Sequence, residues 1–323
     1  MDNKKTNYNV WLAWSVTAKC NLDCVYCYSK LSQQKKPIFE KALKVIRSSG
    51  ILGLFTIFRN RLKRAMGKDR SKKIDIPSLI RALGKTKKIF RIDFLGGGEP
   101  FLIPNLIEAC EEITKKHYIG FNTNLTSERI KEFCERIDPS RVIQIVASTH
   151  IKELERLDLL DRYIFNFLMC RDKGFNVFSI EVAHPSLLAE AWKYREFFKG
   201  KGIELAFAPF IGEYDGKQYP QAYTDEEIKV FGLNKTFEGN IGRFYQKGQF
   251  CNAGYNVAVV DPCGNIMPCL SINKIIGNIY SEAGFGEELI KCPFEFCVCP
   301  LNYYDQYLFT KAMEEQGGRL KYR

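Results

Sequence analysis

Short, nearly continuous apolar runs recur along the chain and alternate with stretches whose apolar residues fall three and four positions apart. The runs cover residues 10–17, 89–95, 118–122, 142–147, 177–182 and 203–208. A run such as Val142-Ile143-Gln144-Ile145-Val146 suits a strand covered on both faces. Between the runs lie helical patterns, among them a helix from Pro104 carrying Leu106, Ile107, Cys110 and Ile113, and a second carrying Ile130, Phe133, Cys134 and Ile137. Six strands, each followed by a helical or loop segment, predict a βα repeat and a parallel sheet. Further on, residues 256–260, a turn Asp261-Pro262-Cys263-Gly264-Asn265 and a return over 266–269 predict a β-hairpin. The expected division is a large α/β domain over 1–235 and a smaller unit over 236–323 that ends in a helix.

At roughly 150 residues per domain, 323 residues with 46% hydrophobic content fit this plan and exclude a disordered chain, a collagen and a disulfide miniprotein. Residues 1–9 are polar and lack the apolar core of a signal peptide, so a cytoplasmic location is expected. The apolar run over 51–58 is far short of the ~20 residues that span a bilayer. In such a setting the 12 cysteines, against only 3 histidines, point to metal or redox chemistry before disulfides.

Spacing sorts these cysteines. Cys110, Cys134 and Cys170 each sit alone in an apolar stripe and read as small core hydrophobes. Cys20, Cys24 and Cys27 form a C-x3-C-x2-C loop directly after the first strand. Three thiolates from one loop can hold three irons of a [4Fe-4S] cluster and leave the fourth iron open to another ligand. Zinc, the alternative, wants a fourth ligand, and no His or further Cys follows nearby. The second motif, Leu95-Gly96-Gly97-Gly98-Glu99-Pro100, follows the second strand. Its glycines allow a close backbone approach, and Glu99 offers a carboxylate to an ammonium group. By itself a glycine run after a strand describes a turn.

In combination, the cysteine loop after the first strand and Gly-Gly-Glu-Pro after the second resemble the radical S-adenosylmethionine (radical SAM) superfamily. The resemblance implies a partial (β/α)6 TIM-like barrel. It implies that Cys20, Cys24 and Cys27 hold a [4Fe-4S] cluster whose open iron chelates S-adenosylmethionine, with Tyr26 packed by the adenine. Gly97, Gly98 and Glu99 match the segment that binds the methionine amino group. Thr123, Asn124 and Ser148 fall where family members place polar contacts to S-adenosylmethionine, Ser148 on the ribose. The implied chemistry is reductive cleavage to a 5′-deoxyadenosyl radical and abstraction of a substrate hydrogen, driven by an electron donor such as flavodoxin or ferredoxin.

The rule that ligands sit at the C-terminal strand ends of such barrels also nominates Glu181 or His184 near the fifth strand. For His150 and His184, structural hydrogen bonding outranks catalysis. The tyrosine-rich loop over 209–225 brings Glu213, Tyr214 and Asp215 near the barrel mouth as catalytic candidates, although its composition equally describes a solvated turn.

Cys251 and Cys269 frame the predicted hairpin, and Cys292, Cys297 and Cys299 follow. This group resembles the twitch form of the SPASM extension and implies one auxiliary [4Fe-4S] cluster, with one cysteine more than full ligation needs. A structural zinc is the alternative for four thiolates. Cys263 reads as an exposed turn residue.

Charge adds a further feature. A basic insertion over about 38–75 separates the first two motifs, and residues 59–73 hold eight Lys or Arg and one acid, Asp69, a net +7 of the chain's +11. The apolar run at 51–58 lies just upstream. Residues 51–73 are therefore expected to form either a solvated basic face or a contact with an anionic membrane surface or lipid-like substrate. Nucleic acid ranks third because aromatic residues do not interleave the charges. The expected function is radical-based oxidation or bond formation on an unidentified, lipid-like or membrane-associated substrate. Peptide modification ranks second, since only about ten residues precede the first strand. A non-catalytic iron-sulfur protein that binds RNA or a membrane ranks third, because it has no need of Gly-Gly-Glu-Pro.

Overall fold

The computed structural model describes residues 7–27, 73–233, 244–245, 247–272, 274–297 and 306–316. Residues 28–72, which hold nearly all of the basic insertion, lie outside these residues, as do Cys299 and the boundary expected at 235/236.

All six predicted strands form, as β1 (Val10–Trp14), β2 (Phe90–Phe94), β3 (Tyr118–Thr123), β4 (Val142–Ser148), β5 (Val177–Ala183) and β6 (Leu205–Pro209). They pair in parallel in chain order, with matched partners such as Trp14 and Phe94, Phe94 and Phe121, and Ser148 and Ile180. The helices Ile76–Lys85, Leu106–Thr114, Ile130–Arg136, Leu160–Asp172 and Ala191–Gly200 supply the crossovers. The α/β class and the mostly parallel, barrel-like sheet are as expected.

The first strand stops at Trp14, three residues short of the expected end at 17, and two further boundaries differ, each for a local reason. The sixth strand begins at Leu205, not residue 203, because the preceding helix claims Ile203. Gly202, at φ +73°, closes that helix, and the Ile203 N–H donates to the Phe198 carbonyl at 2.9 Å. The helix expected from Pro104 starts at Leu106, since Glu99 caps a separate single turn over Pro100–Leu102.

Beyond β6 come a small hairpin, β7 (Gly212–Tyr214) with β8 (Lys217–Tyr219), and helix Asp225–Phe231. Three short strands, β9 (Phe244–Tyr245), β10 (Phe250–Cys251) and β11 (Val257–Val260), follow. After β12 (Asn265–Met267), β13 (Gly277–Asn278), β14 (Ile290–Lys291) and β15 (Phe296–Cys297), the described chain ends in helix Gln306–Glu315. The predicted hairpin is β11 and β12, and it joins the main sheet: β11 lies parallel to β1, Trp11 opposite Val257, giving the order β13-β12-β11-β1-β2-β3-β4-β5-β6.

The helix-covered face holds the larger core. Phe94, Phe121, Phe101, Phe133 and Phe175 pack in series with ring centroids 5.1–5.5 Å apart. Cys110, Cys134 and Cys170 are buried there, as their apolar stripes predict. The opposite face of β1, with Tyr8, Trp11 and Ala13, meets Val257, Val259 and Leu308 of the final helix in a second cluster. Beside it lies a fully buried ion pair, with the Arg91 guanidinium donating to both Asp93 oxygens at 2.7–3.1 Å over the face of Trp11. Gly120 on β3 leaves room for it, since a Cβ there would lie 2.4 Å from Asp93 Oδ1.

Candidate functional site

The cysteine loop leaves the end of β1 and is tied down along its length. The Lys19 N–H donates to Thr17 Oγ1, and the Cys27 N–H donates to the Cys24 carbonyl. The Asp23 N–H donates to Glu153 Oε2 at 2.9 Å, docking the loop on helix Ile151–Arg156 after β4. Asn21 donates to Thr126 Oγ1 and accepts from Asn124 Nδ2, both at 2.8 Å. Cys24 is buried, Cys27 half-buried and Cys20 exposed.

Among the described residues no three Cys, His, Asp or Glu side chains already close into a metal-binding group, this loop included. The loop's electrostatics nonetheless fit a cationic centre. Burial pushes the Cys24 thiol far up, and the charges of Cys20, Glu153 and Cys27 push in the same direction. Negative charge on these thiols is mutually unfavourable, and a bound cationic cluster would relieve it.

The Gly-Gly-Glu segment serves the loop directly. A Cβ on Gly97 would sit 2.4 Å from Ser15 Oγ, and one on Gly98 would sit 2.0 Å from the Lys19 carbonyl. The glycines thus admit the protein's own loop backbone. The Glu99 N–H donates to that same Lys19 carbonyl at 2.8 Å.

The Glu99 carboxylate is 3% exposed and accepts from the Phe101 N–H, from Thr123 Oγ1 at 2.7 Å and from the Asn124 N–H at 2.8 Å. Burial holds its pKa above the usual carboxylate range in spite of these donors. Oε2 takes only one of them, so that oxygen keeps a lone pair for an ammonium donor. Asn124 joins the two motifs: its backbone meets Glu99, and its side-chain Nδ2 lies 2.8 Å from Asn21 Oδ1 and 3.9 Å from Cys20 Sγ.

Tyr26 crosses to the other side of the sheet. Its hydroxyl donates to Glu181 Oε1 at 2.9 Å and lies 3.2 Å from His150 Nδ1, while its ring stacks on His184 at 5.5 Å. Glu181 is fully buried and also accepts from the Ile151 and Val182 N–H groups. Burial nevertheless pushes its pKa up to about 7. Burial also lowers the His150 pKa to about 4, so that ring is neutral near neutrality. Sequence reasoning named Glu181 only as one of two options, and no local signal pairs it with Tyr26, 155 positions away.

Ser148 lies at the end of β4 and donates to Asn122 Oδ1 at 2.5 Å. Tyr214 reaches the site through His184, ring centroids 4.6 Å apart, whereas Glu213 within β7 and Asp215 on the turn after it are exposed.

In the C-terminal part, Cys251 and Cys269 both pack against the cluster around Trp11 and Val257. Cys251 pairs with Ile290, and the Cys292 N–H donates to the Gln249 carbonyl, so Cys251 on β10 lies beside β14, with Cys292 directly following that strand. The Cys297 backbone pairs with Phe244. Cys263 is exposed in its turn, its N–H held by Asp261, as its sequence position predicts.

The model of the Radical SAM superfamily matches residues 14–193, more than half of the chain. The chain belongs to the radical SAM superfamily. Membership brings a [4Fe-4S] cluster and S-adenosylmethionine as cofactors and makes the protein an enzyme. Molybdenum cofactor biosynthesis protein 1 of Dictyostelium discoideum is 22% identical over 296 residues, covering 84% of this chain and 43% of that protein. The chain therefore spans less than half of that relative's length.

Among solved structures, native anSMEcpe with bound AdoMet is 18% identical with a TM-score of 0.51, covering 84% of this chain and 78% of the other. The same protein with AdoMet and a Kp18Cys peptide gives 17% and 0.52 over the same shares. These similarities are of fold. Among the described residues no helix is long and apolar enough to cross a membrane.

Proposed function

We propose that Cys20, Cys24 and Cys27 hold the superfamily's [4Fe-4S] cluster and that Glu99, Thr123, Asn124 and Ser148 bind S-adenosylmethionine beside it. The supporting observation is Asn124, which contacts the cysteine loop with its side chain and Glu99 with its backbone. When bound, the reduced cluster supplies the electron that cleaves S-adenosylmethionine to methionine and a 5′-deoxyadenosyl radical, which abstracts a substrate hydrogen. The chain's own part is to orient and to exclude water. Glu99 presents Oε2 to the methionine ammonium, Gly97 and Gly98 seat the cysteine loop, and Ser148 with Asn122 faces the ribose. Tyr26 and His184 form an aromatic wall for the adenine.

An auxiliary [4Fe-4S] cluster of SPASM or twitch type is proposed at Cys251, Cys269 and Cys292, completed by Cys297 or Cys299. It would accept an electron from the substrate radical and make the reaction a net oxidation or bond formation. The two-domain division at about residue 235 belongs to the same proposal. A lipid-like or membrane-associated substrate is proposed from the apolar and basic composition of residues 51–73, which would suit an anionic surface. Peptide modification is the second reading, favoured by the peptide held in the anSMEcpe structure. Flavodoxin or ferredoxin is the proposed electron donor. The test is anaerobic: reconstituted protein given dithionite and S-adenosylmethionine should release 5′-deoxyadenosine, and none formed with clusters intact overturns the reading.

A further inference from the structure

Two cysteines that look like separate core positions in the sequence meet in the fold. Cys134 lies near the end of helix Ile130–Arg136 and Cys170 near the end of helix Leu160–Asp172, 36 positions apart, with Sγ atoms 3.5 Å from each other. Cys170 is fully buried and Cys134 is 6% exposed. A disulfide needs a sulfur separation of about 2 Å, so the two sulfurs have only about 1.5 Å left to close. The third core cysteine, Cys110, is equally buried and lies on a different helix, Leu106–Thr114, which makes it an internal control.

Location separates this pair from the cluster chemistry. The cysteine loop sits at the C-terminal ends of the strands. Crossover helices run back antiparallel to them, so residues near the helix ends lie toward the opposite end of the barrel. The pair is also asymmetric. Cys134 keeps a small solvent exposure of 6% that Cys170 lacks. Cys134, the more exposed of the two, is thus the nucleophile, and Cys170 is the reserve thiol behind it.

We propose that Cys134 and Cys170 form a dithiol that a hydroperoxide oxidises to an intramolecular disulfide. In the first step the Cys134 thiolate attacks the O–O bond of hydrogen peroxide, taking one oxygen as a sulfenic acid and releasing hydroxide, which the proton lost from the thiol converts to water. In the second, Cys170 sulfur attacks the sulfenic sulfur, its own proton leaves with the hydroxyl as a second water, and the S–S bond forms. The two thiols together lose two electrons and two protons, and the peroxide is reduced to two waters.

The test uses the cluster-loaded full chain. Anaerobic protein is exposed to graded hydrogen peroxide while cluster absorbance is followed, then denatured with N-ethylmaleimide, reduced, labelled with iodoacetamide, and digested for mass spectrometry. The expected result is joint loss of the free Cys134 and Cys170 thiols, with recovery of both after reduction. In an unreduced aliquot, a peptide pair joined through these residues, lighter by two hydrogens, should appear at peroxide levels that leave Cys110 a thiol. Cys170→Ser should instead accumulate a dimedone-reactive sulfenic acid at Cys134. Three outcomes overturn the proposal: both residues remaining thiols when exposed Cys263 is already oxidised, Cys134 passing to sulfinic acid without a disulfide, or either sulfur pairing with a different cysteine. The wild-type peptide map decides this even if the variant folds poorly.

Discussion

The hydroxyl of Tyr26 donates to the buried carboxyl of Glu181 across 2.9 Å, joining the cysteine loop after the first strand to the fifth strand of the barrel. The contact spans the sheet, because Tyr26 follows β1 whereas Glu181 lies within β5. With Asn21 and Asn124 anchoring the other flank, the loop is held from two directions. Tyr26→Phe removes this hydrogen bond and leaves Glu181 with only its two backbone donors. Losing a hydrogen bond to a charged or partly charged group costs about 1.5–3 kcal/mol. Affinity for S-adenosylmethionine should fall roughly ten- to a hundredfold, as read by equilibrium binding to the anaerobic protein. Unchanged affinity would remove Tyr26 from the site.

Stability should vary with pH through the same carboxyl. Glu181 has its folded pKa raised to about 7 from an ordinary 4.5, so the folded state favours the protonated acid. The sign follows from that: the contribution is fully present below about pH 4.5 and is lost as pH rises through 7. At about 1.4 kcal/mol per unit the loss approaches ~3 kcal/mol for a fully buried group. Denaturation midpoints of the loaded protein measured between pH 5 and 8 should decline in the wild type and flatten in Glu181→Gln. A parallel decline in both proteins would assign the slope elsewhere.

Gly98→Ala should detach the cluster without unfolding the barrel. The new Cβ would meet the Lys19 carbonyl at 2.0 Å, so the cysteine loop must move. Iron per chain should drop by about four atoms while far-ultraviolet dichroism stays near wild type. Gly96→Ala is the comparison: nothing lies within 4 Å of its Cβ, and at φ +72° it carries only backbone strain of about 1 kcal/mol. Full iron retention in the Gly98 variant would contradict the packing argument.

Asp93→Ala leaves Arg91 charged and buried with its partner gone, a change that typically costs about 3–5 kcal/mol. Replacing both, as Arg91→Met with Asp93→Leu, should recover most of that loss, because no buried charge then remains. Urea or thermal melts of the three proteins decide it. A double variant no better than Asp93→Ala would mean that the pair acts through packing alone.

Iron counting separates the two proposed clusters. Wild-type protein should carry about eight irons, and Cys20→Ala or Cys251→Ala about four each. Only the first should abolish 5′-deoxyadenosine formation altogether. Retained zinc with about four irons in the wild type would replace the auxiliary cluster by a structural metal.

What the chain reveals in order along its length is what local physics controls. Strand positions, the spacing of Cys20, Cys24 and Cys27, the Gly-Gly-Glu turn and the hairpin around Cys263 depend on neighbours within a few residues, and each appears where its pattern predicts. Even the late start of β6 has a local cause in Gly202 and Ile203. Contacts closed across the sheet carry no such trace. Alternation along β2 does not announce that Arg91 and Asp93 neutralise each other inside the barrel, or that Gly120 makes room for them. An isolated cysteine in a helix looks the same whether its neighbour is a leucine or, as for Cys134, another sulfur 36 positions away. Tertiary structure decided these pairs, along with the seat of β11 beside β1 and the joining of Tyr26 to Glu181. Each depends on chain segments that only parallel strand pairing brings together.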